Sequence, residues 1–354
     1  MPIKRHDELL TPRDREILGD VVRSFILTGT PVSSRAVAKQ NQHGLSAATI
    51  RNSMADLEDA GFLSQPHTSA GRVPTEVGYH SYIDDLLPSS QVDPRDKWQI
   101  DEQLPSSGDG EELVNRAGKL LSELTQQIGI VLMPAIGETV LRTLSLVPLS
   151  GSRVLCVVVS TSGFIDHKIL EFDSPMSRDA LTHASNYLTD HFAGMTVRQA
   201  RDHLLVLMAR ERAQVDQLLA RTLALAEEAL GSAHGPEVVV EGTSAVLTQP
   251  ELADVERVRR LVEKFNDRAQ LVQVLNRLIS TGRGVRVVIG EESEFTSDVD
   301  FSLVATTYGD TDQSLGRIGV FGPSRMEYQR VIPLVDYLGE KLSEALQPPA
   351  DALR

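Results

Sequence analysis

Over the first eighty or so positions, apolar residues recur with the spacing of short amphipathic helices. Ile17, Leu18, Val21, Val22, Phe25 and Ile26 follow Thr11-Pro12 and precede Gly29. That pattern predicts a helix capped by Thr, with Pro at the tolerated first position and Gly at its end. A second short helix is predicted from Ser33 to Gln40, and a third from Ser46 to Ala60, stopped by Gly61. Three such helices make a compact trihelical core. Phe62-Leu63-Ser64-Gln65, the turn-rich segment through Ser69-Ala70-Gly71-Arg72, and Val73-Pro74 then read as two short strands and a loop, the layout of a wing. Thr75 opens another helix through Tyr79, Tyr82, Ile83 and Leu86.

From Pro88 to Gly110 the pattern breaks into Pro, Ser, Gly, Asp and Gln, interrupted mainly by Trp98 and Ile100, and predicts a linker. Beyond it a helix from Glu111 to Ile128 leads into strands at Ile130–Met133, Leu141–Val147, Val154–Val159 and Lys168–Phe172. Helical periodicity returns over Arg178–His191 and Val197–Leu230, followed by a short strand at Val238–Glu241 and a helical region over Glu251–Ser280. Strands at Val285–Ile289, Phe301–Thr307 and Leu315–Phe321 precede a last helix, Arg325–Ala345. Strands, a mainly helical block and strands again predict an α+β multidomain chain in which one α+β domain is interrupted by an insertion. The boundaries expected are 1–87, a linker over 88–110, a first part over 111–173, an insertion over 174–247, a second part over 248–346 and a tail over 347–354. The stripe Val215, Leu218, Leu219, Thr222, Leu225, Ala226 and Ala229 fits core packing first and a partner-facing surface second.

At 354 residues the chain exceeds one ordinary core, which supports two or three domains. The longest apolar run, Val154 to Val159, is far short of the roughly 20 residues that span a bilayer, so no membrane partner and a cytoplasmic location are expected. Cys156, inside that run, is the sole cysteine. It precludes an internal disulfide and any multi-cysteine metal site, and reads as a buried strand residue.

A net charge of −14 argues at first against a nucleic-acid partner. Its distribution reverses that. The first 80 residues hold nine Lys or Arg and nine Asp or Glu, leaving 26 against 40 for the remainder. Pro31 to Met54 carries Arg35, Lys39 and Arg51 and no acid. A local basic face on an acidic protein suits a DNA reader that avoids sticking everywhere.

In helix-turn-helix recognition the second helix of the pair enters the major groove, with its early residues at base edges. Here that helix begins at Ser46. Ile50, Met54 and Leu57 recur at i, i+4 and i+7, which turns Ala47, Ala48, Thr49, Arg51 and Asn52 partly or wholly outward. Arg51 can pair bidentately with guanine and Asn52 with adenine, while Ala48 and the Thr49 methyl can pack on thymine. The plain alternative is a solvated helix face, with Arg51 linked toward Ala55-Asp56. In the loop, His67, Thr68, Ser69 and Arg72 are of types that contact phosphates, and an ordinary polar hairpin is the alternative there. Arg35 and Lys39 on the preceding helix would position rather than specify.

The string Ala48-Thr49-Ile50-Arg51-Asn52-Ser53-Met54-Ala55-Asp56-Leu57-Glu58, followed by Gln65-Pro66-His67-Thr68-Ser69-Ala70-Gly71-Arg72-Val73-Pro74-Thr75, closely resembles the heat-inducible transcription repressors of the HrcA family. A second stretch, Gly316-Arg317-Ile318-Gly319-Val320-Phe321-Gly322-Pro323-Ser324-Arg325-Met326-Glu327-Tyr328, resembles that family's C-terminal signature. The resemblance implies a winged helix-turn-helix domain, a GAF-like domain and an inserted dimerising domain. It also implies a homodimer that represses chaperone operons by binding double-stranded DNA at an inverted-repeat operator, kept active by a GroEL-type chaperonin.

Two other classes fit the sequence less well. A GAF-like domain could take a small effector, and Gly322-Pro323-Ser324-Arg325 could hold an anion at a helix start, although a capped strand-to-helix turn accounts for it more simply. The sequence has no phosphate loop ending in Gly-Lys-Ser/Thr, no His-Glu-x-x-His and no Gly-x-Ser-x-Gly elbow, so no catalytic residue, cofactor or metal is expected. Asp298-Val299-Asp300 reads as a solvated sheet edge, and His183 and His191 as ordinary helix positions.

Overall fold

The computed structural model describes residues 10–40, 44–67, 70–86, 91–172, 174–203, 237–246, 255–278, 284–292, 296, 301–309 and 314–347. The chain is mixed α and β, with three separate sheets among the described residues, and divides into two compact units. The first comprises Met1–Pro94, Val287–Val304 and Phe321–Leu334, and the second the remaining segments.

In the first unit α1 (Pro12–Thr28) forms where the apolar spacing placed it. Thr11 Oγ1 accepts from the Asp14 amide at 3.2 Å, Pro12 stands in the first turn, and Gly29 closes the helix at φ +63° with its amide on the Phe25 carbonyl. α2 (Ser34–Gln40) and α3 (Ala47–Asp59) follow. A two-stranded antiparallel pair, β1 (Leu63–Ser64) and β2 (Val73–Pro74), precedes α4 (Glu76–Leu86). α1 packs on α3 and α4, and α2 on α3. Ile17, Leu18, Val21, Val22, Ile50, Met54, Leu57 and Phe62 are all buried, so these short helices close on a shared apolar core.

Residues 94–103, read from composition as linker, instead form helix α5 (Pro94–Gln103). Ile100 and Leu104 are buried. These two apolar residues, four apart, lie on one helical face with buried Asp96 one turn earlier, while Trp98 on the opposite face is exposed.

In the second unit α6 (Gly110–Thr125) is capped by Asp109, whose carboxylate accepts from the Glu112 amide at 3.0 Å. It packs on β3 (Ile128–Leu132) and β7 (Val238–Glu241). Those two strands are antiparallel, in register Ile130↔Val240, within a sheet of order β7-β3-β10-β9-β8. The other strands of that sheet are β8 (Arg286–Ile289), β9 (Phe301–Gly309) and β10 (Ser314–Pro323), of which 287–289, 301–304 and 321–323 count with the first unit. A separate three-stranded antiparallel sheet consists of β4 (Leu141–Pro148), β5 (Arg153–Ser160) and β6 (Ile165–Glu171). Its inner residues Leu144, Leu146, Val154, Cys156, Val158 and Leu170 share one cluster with Leu181, Ala184, Leu188 and Phe192 of α7 (Arg178–Phe192).

Sheet membership thus draws a different line from the one expected at 173/174. β4–β6 belong with α7, while β7, expected inside the insertion, pairs with β3. Strand pairing is non-local, and periodicity along the chain does not carry it.

The helical region expected over 251–280 is broken into α8 (Val255–Asn266) and α9 (Arg268–Leu278). Asp267 causes the break, since its carboxylate accepts from the Gln270 amide at 3.0 Å and starts a new helix. The final helix is α10 (Tyr328–Ala345). The Val215–Ala229 stripe and Asp298-Val299-Asp300 lie outside the described residues.

Candidate nucleic-acid interface

The rotational setting of α3 comes from its three core keys. Ile50, Met54 and Leu57 are at most 1 % exposed, and this directs Ala48, Arg51 and Asn52 into solvent. Ser46 caps the helix, its Oγ accepting from the Thr49 amide at 3.1 Å and sharing a hydrogen bond with Thr49 Oγ1 at 2.9 Å. Half-buried Thr49 therefore has its hydroxyl engaged at the cap, and its methyl is the group left for an outside contact. Among the described residues Arg51 has no ion pair, so the alternative link toward Asp56 is not made. On α2, Arg35 and Lys39 stand four apart, both exposed, and project from one face.

The loop between β1 and β2 is stapled by Gln65, whose side-chain amide donates to the Ala70 carbonyl at 2.9 Å, and by the Ala70 amide on the His67 carbonyl at 2.8 Å. His67 is exposed. Thr68 and Ser69 lie outside the described residues.

Arg72, expected among the phosphate contacts, also has a partner within the chain. Its Nε donates to Glu58 Oε2 at 2.9 Å, and its main chain exchanges two hydrogen bonds with Val32, each 2.9 Å. Sequence spacing could not reveal the partner, because Glu58 sits 14 positions earlier on a different element.

The rest of the motif is architectural. A Cβ on Gly71 would lie 2.4 Å from the Val32 carbonyl oxygen, and one on Gly78 would lie 2.2 Å from that of Phe62, so both backbones approach more closely than any side chain allows. Thr75 Oγ1 donates to the Gly61 carbonyl at 2.7 Å and accepts from the Gly78 amide at 3.2 Å, which fixes the start of α4.

At the C-terminal signature the chain turns from β10 into α10. The Met326 amide donates to the Pro323 carbonyl at 3.1 Å, and buried Tyr328 returns its hydroxyl to the Ser324 carbonyl at 2.8 Å. Arg325 donates to the Ile26 carbonyl at 3.2 Å. Among the described residues no group of three or more His, Cys, Asp or Glu could hold a metal ion, and no helix is long and apolar enough to cross a membrane.

Comparison with known proteins bears on both ends of this arrangement. The HrcA protein C-terminal domain matches residues 111–332. A heat-inducible transcription repressor HrcA of Geobacter sulfurreducens is 38% identical over 339 residues, covering 96% of this chain and 98% of that protein. One from Syntrophobacter fumaroxidans is 35% identical, with 97% and 99% covered. A crystal structure of a hypothetical protein at 2.2 Å resolution superposes with a TM-score of 0.64 at 24% identity, covering 96% of this chain and 99% of that one, which shows a shared fold. On the breadth of these matches the chain belongs to the HrcA family, that of the heat-inducible transcription repressors.

Proposed function

We propose that the chain is a sequence-specific DNA-binding repressor of heat-shock chaperone operons, acting as a homodimer on an inverted-repeat operator. In this reading α1–α3 with β1 and β2 form a winged helix-turn-helix, and α3 enters the major groove. Arg51 reads guanine and Asn52 adenine, each bidentate pair contributing about 1–3 kcal/mol of discrimination, and Ala48 with the Thr49 methyl packs on thymine. The amides at the Ser46 cap, together with Arg35, Lys39, His67, Thr68 and Ser69, hold phosphates and set the register. Arg72 acts one step back, by positioning the loop against α3.

The observation that carries this reading is the outward-facing Arg51-Asn52 pair on a helix keyed into its core by Ile50, Met54 and Leu57, in a chain of this family. Homodimer formation draws support from β4–β6, whose outer face exposes Val147 (45 %), Ile165 (52 %) and Ile169 (54 %). An apolar face of that kind on a domain surface is characteristic of an interaction site. The dimerising part then includes β4–β6 as well as most of the insertion over 174–247, and the rest of 111–173 and 248–346, with β7, contributes a GAF-like domain. A GroEL-type chaperonin that keeps the repressor active follows from the family resemblance.

Two symmetric heads read a palindrome whose half-sites lie roughly 34–36 Å apart, or a multiple of that. Fluorescence anisotropy with an inverted-repeat duplex and its scrambled version, over a salt series, tests the reading. Wild type should prefer the operator and Arg51→Ala should lose that preference while keeping its salt slope. Equal weak binding of wild type to both duplexes, with chaperonin present, would overturn it.

A further inference from the structure

The first compact unit joins α1–α4 to residues 287–304 and 321–334. Three contacts among the described residues contribute to the join. The first lies at the C-terminal end of α1, which has no basic residue in its own last turn. A helix C-terminus carries a partial negative charge, and a cation there is stabilising. The cation comes from the signature turn, where Arg325 Nη1 donates to the Ile26 carbonyl at 3.2 Å, from a residue 299 positions away.

The second contact is aromatic. Tyr79 of α4 meets Tyr328 edge-on, with centroids 5.9 Å apart and planes at 61°. Tyr328 is itself fixed, its hydroxyl bonded to the Ser324 carbonyl and to Ser302 Oγ at 3.0 Å.

The third contact pairs an imidazole with a carboxylate. His80 Nε2 lies 2.8 Å from Glu292 Oε1, and the other carboxylate oxygen accepts from the Ile289 amide at 2.9 Å, so the turn over 290–292 aims the acid. Glu76 and Asp84, one turn to either side on α4, add negative charge around the imidazole.

The contacts end at two places on the four-helix segment, the tip of α1 and the adjacent residues Tyr79 and His80 of α4. Restraints at two places on different helices oppose turning of a small rigid body about either one. We propose that Arg325, Tyr328 and Glu292 form a clamp that holds the reading helices in one orientation, making them positioning residues for DNA recognition although none of them is in the DNA-reading segment. The proposal rests on the DNA-binding reading above and extends it. Symmetric reading of two half-sites needs both heads correctly oriented at once, whereas one half-site can be met by a freely turning head. A clamp therefore matters for the full operator and not for its half.

The test uses the full-length protein and the variants Arg325→Met and Glu292→Gln, with two readouts. Amide hydrogen exchange at residues 26–30 and 76–86 should quicken by about tenfold in each variant if the clamp restrains these segments. Affinity for the full inverted repeat should fall by about three- to thirtyfold while affinity for a half-site duplex stays within twofold. The charge-exchanged double variant His80→Glu/Glu292→His should recover most of the loss. Unchanged exchange would overturn the clamp. Equal losses on full and half sites would reduce it to ordinary structural support, and tighter operator binding would make it a restraint against DNA; either result overturns the proposal. A wild type that fails to prefer the operator defeats the DNA reading, and the exchange measurement still decides whether the clamp exists.

Discussion

Arg72 Nε donates to Glu58 Oε2 at 2.9 Å, joining the residue before β2 to the last turn of α3. The arginine side chain is 16% exposed and the glutamate 31%, so the pair is partly shielded from water and its hydrogen bond is charge-assisted at both ends. Removing one partner leaves the other charge without its counterpart. Arg72→Met is expected to destabilise the N-terminal part of the chain by roughly 1–2 kcal/mol, and Glu58→Gln, which keeps an acceptor, by about half of that. Urea unfolding monitored at the helical signal measures both. Equal midpoints for Arg72→Met and wild type would show that the pair contributes nothing.

This pair also marks the limit of what sequence conveys. The caps at Thr11 and Ser46, the stops at Gly29 and Gly61, and the core keys Ile17, Ile50, Met54 and Leu57 are local in origin, set by spacing and by capping chemistry. They stand where the pattern places them. The outward aspect of Arg51 and Asn52 follows from the same keys. What could not be read is non-local: the engagement of Arg72 by Glu58, the pairing of β7 with β3, and the docking of Arg325 on α1. The helix at 94–103 was hidden for another reason. Ile100 and Trp98 are its apolar residues and they lie on different faces, so no amphipathic stripe marks the helix, and a linker has nearly the same composition.

Gly71 and Gly78 are held by close approach, and Gly61 by its backbone angle alone. Alanine at 71 or 78 would press a methyl onto a main-chain oxygen that cannot swing away. Each change is expected to cost about 3 kcal/mol or more, enough to lose cooperative folding of this part. Gly61, at φ +83°, has nothing within 4 Å of where a Cβ would stand, so Gly61→Ala should cost only about 1 kcal/mol of backbone strain. Thermal melts of the three variants give the ranking, and a Gly78→Ala protein as stable as Gly61→Ala would contradict it.

Cys156 lies on β5 between Leu146 and Lys168 of the neighbouring strands and is buried in the cluster beneath α7. Burial pushes its thiol up to about 12, with the Asp166 carboxylate adding to the effect against a smaller opposing pull from Lys168. The thiolate is the reactive form, so at neutral pH almost none is present. An aromatic disulfide reagent is expected to leave the native protein unmodified and to label it stoichiometrically in denaturant. Rapid labelling of the native protein would mean that α7 opens from the sheet readily.

The His80–Glu292 pair gives a pH dependence whose sign follows from both partners. Burial pulls the His80 pKa down, but the hydrogen bond to Glu292 and the charges of Glu292, Asp84 and Glu76 together outweigh it, so the net shift is upward from 6.5. For Glu292, burial raises the pKa, and the His80 hydrogen bond, the Ile289 amide and the imidazolium charge together bring it below its usual 4.5. A histidine raised on folding contributes its stabilisation in full below 6.5 and loses it as pH climbs through the folded value. A glutamate lowered on folding contributes above 4.5 and loses it as pH falls through its own folded value. The pair should therefore hold best between those two limits. The stability difference between wild type and Glu292→Gln is expected to be largest near pH 5.5 to 6, on the order of 1 kcal/mol or less for so exposed a pair, and to shrink toward about pH 9. Denaturant melts across that range measure it. A difference that grows toward alkaline pH would show that the imidazole binds Glu292 in its neutral form, and the ionic arm of the clamp would then be a plain hydrogen bond.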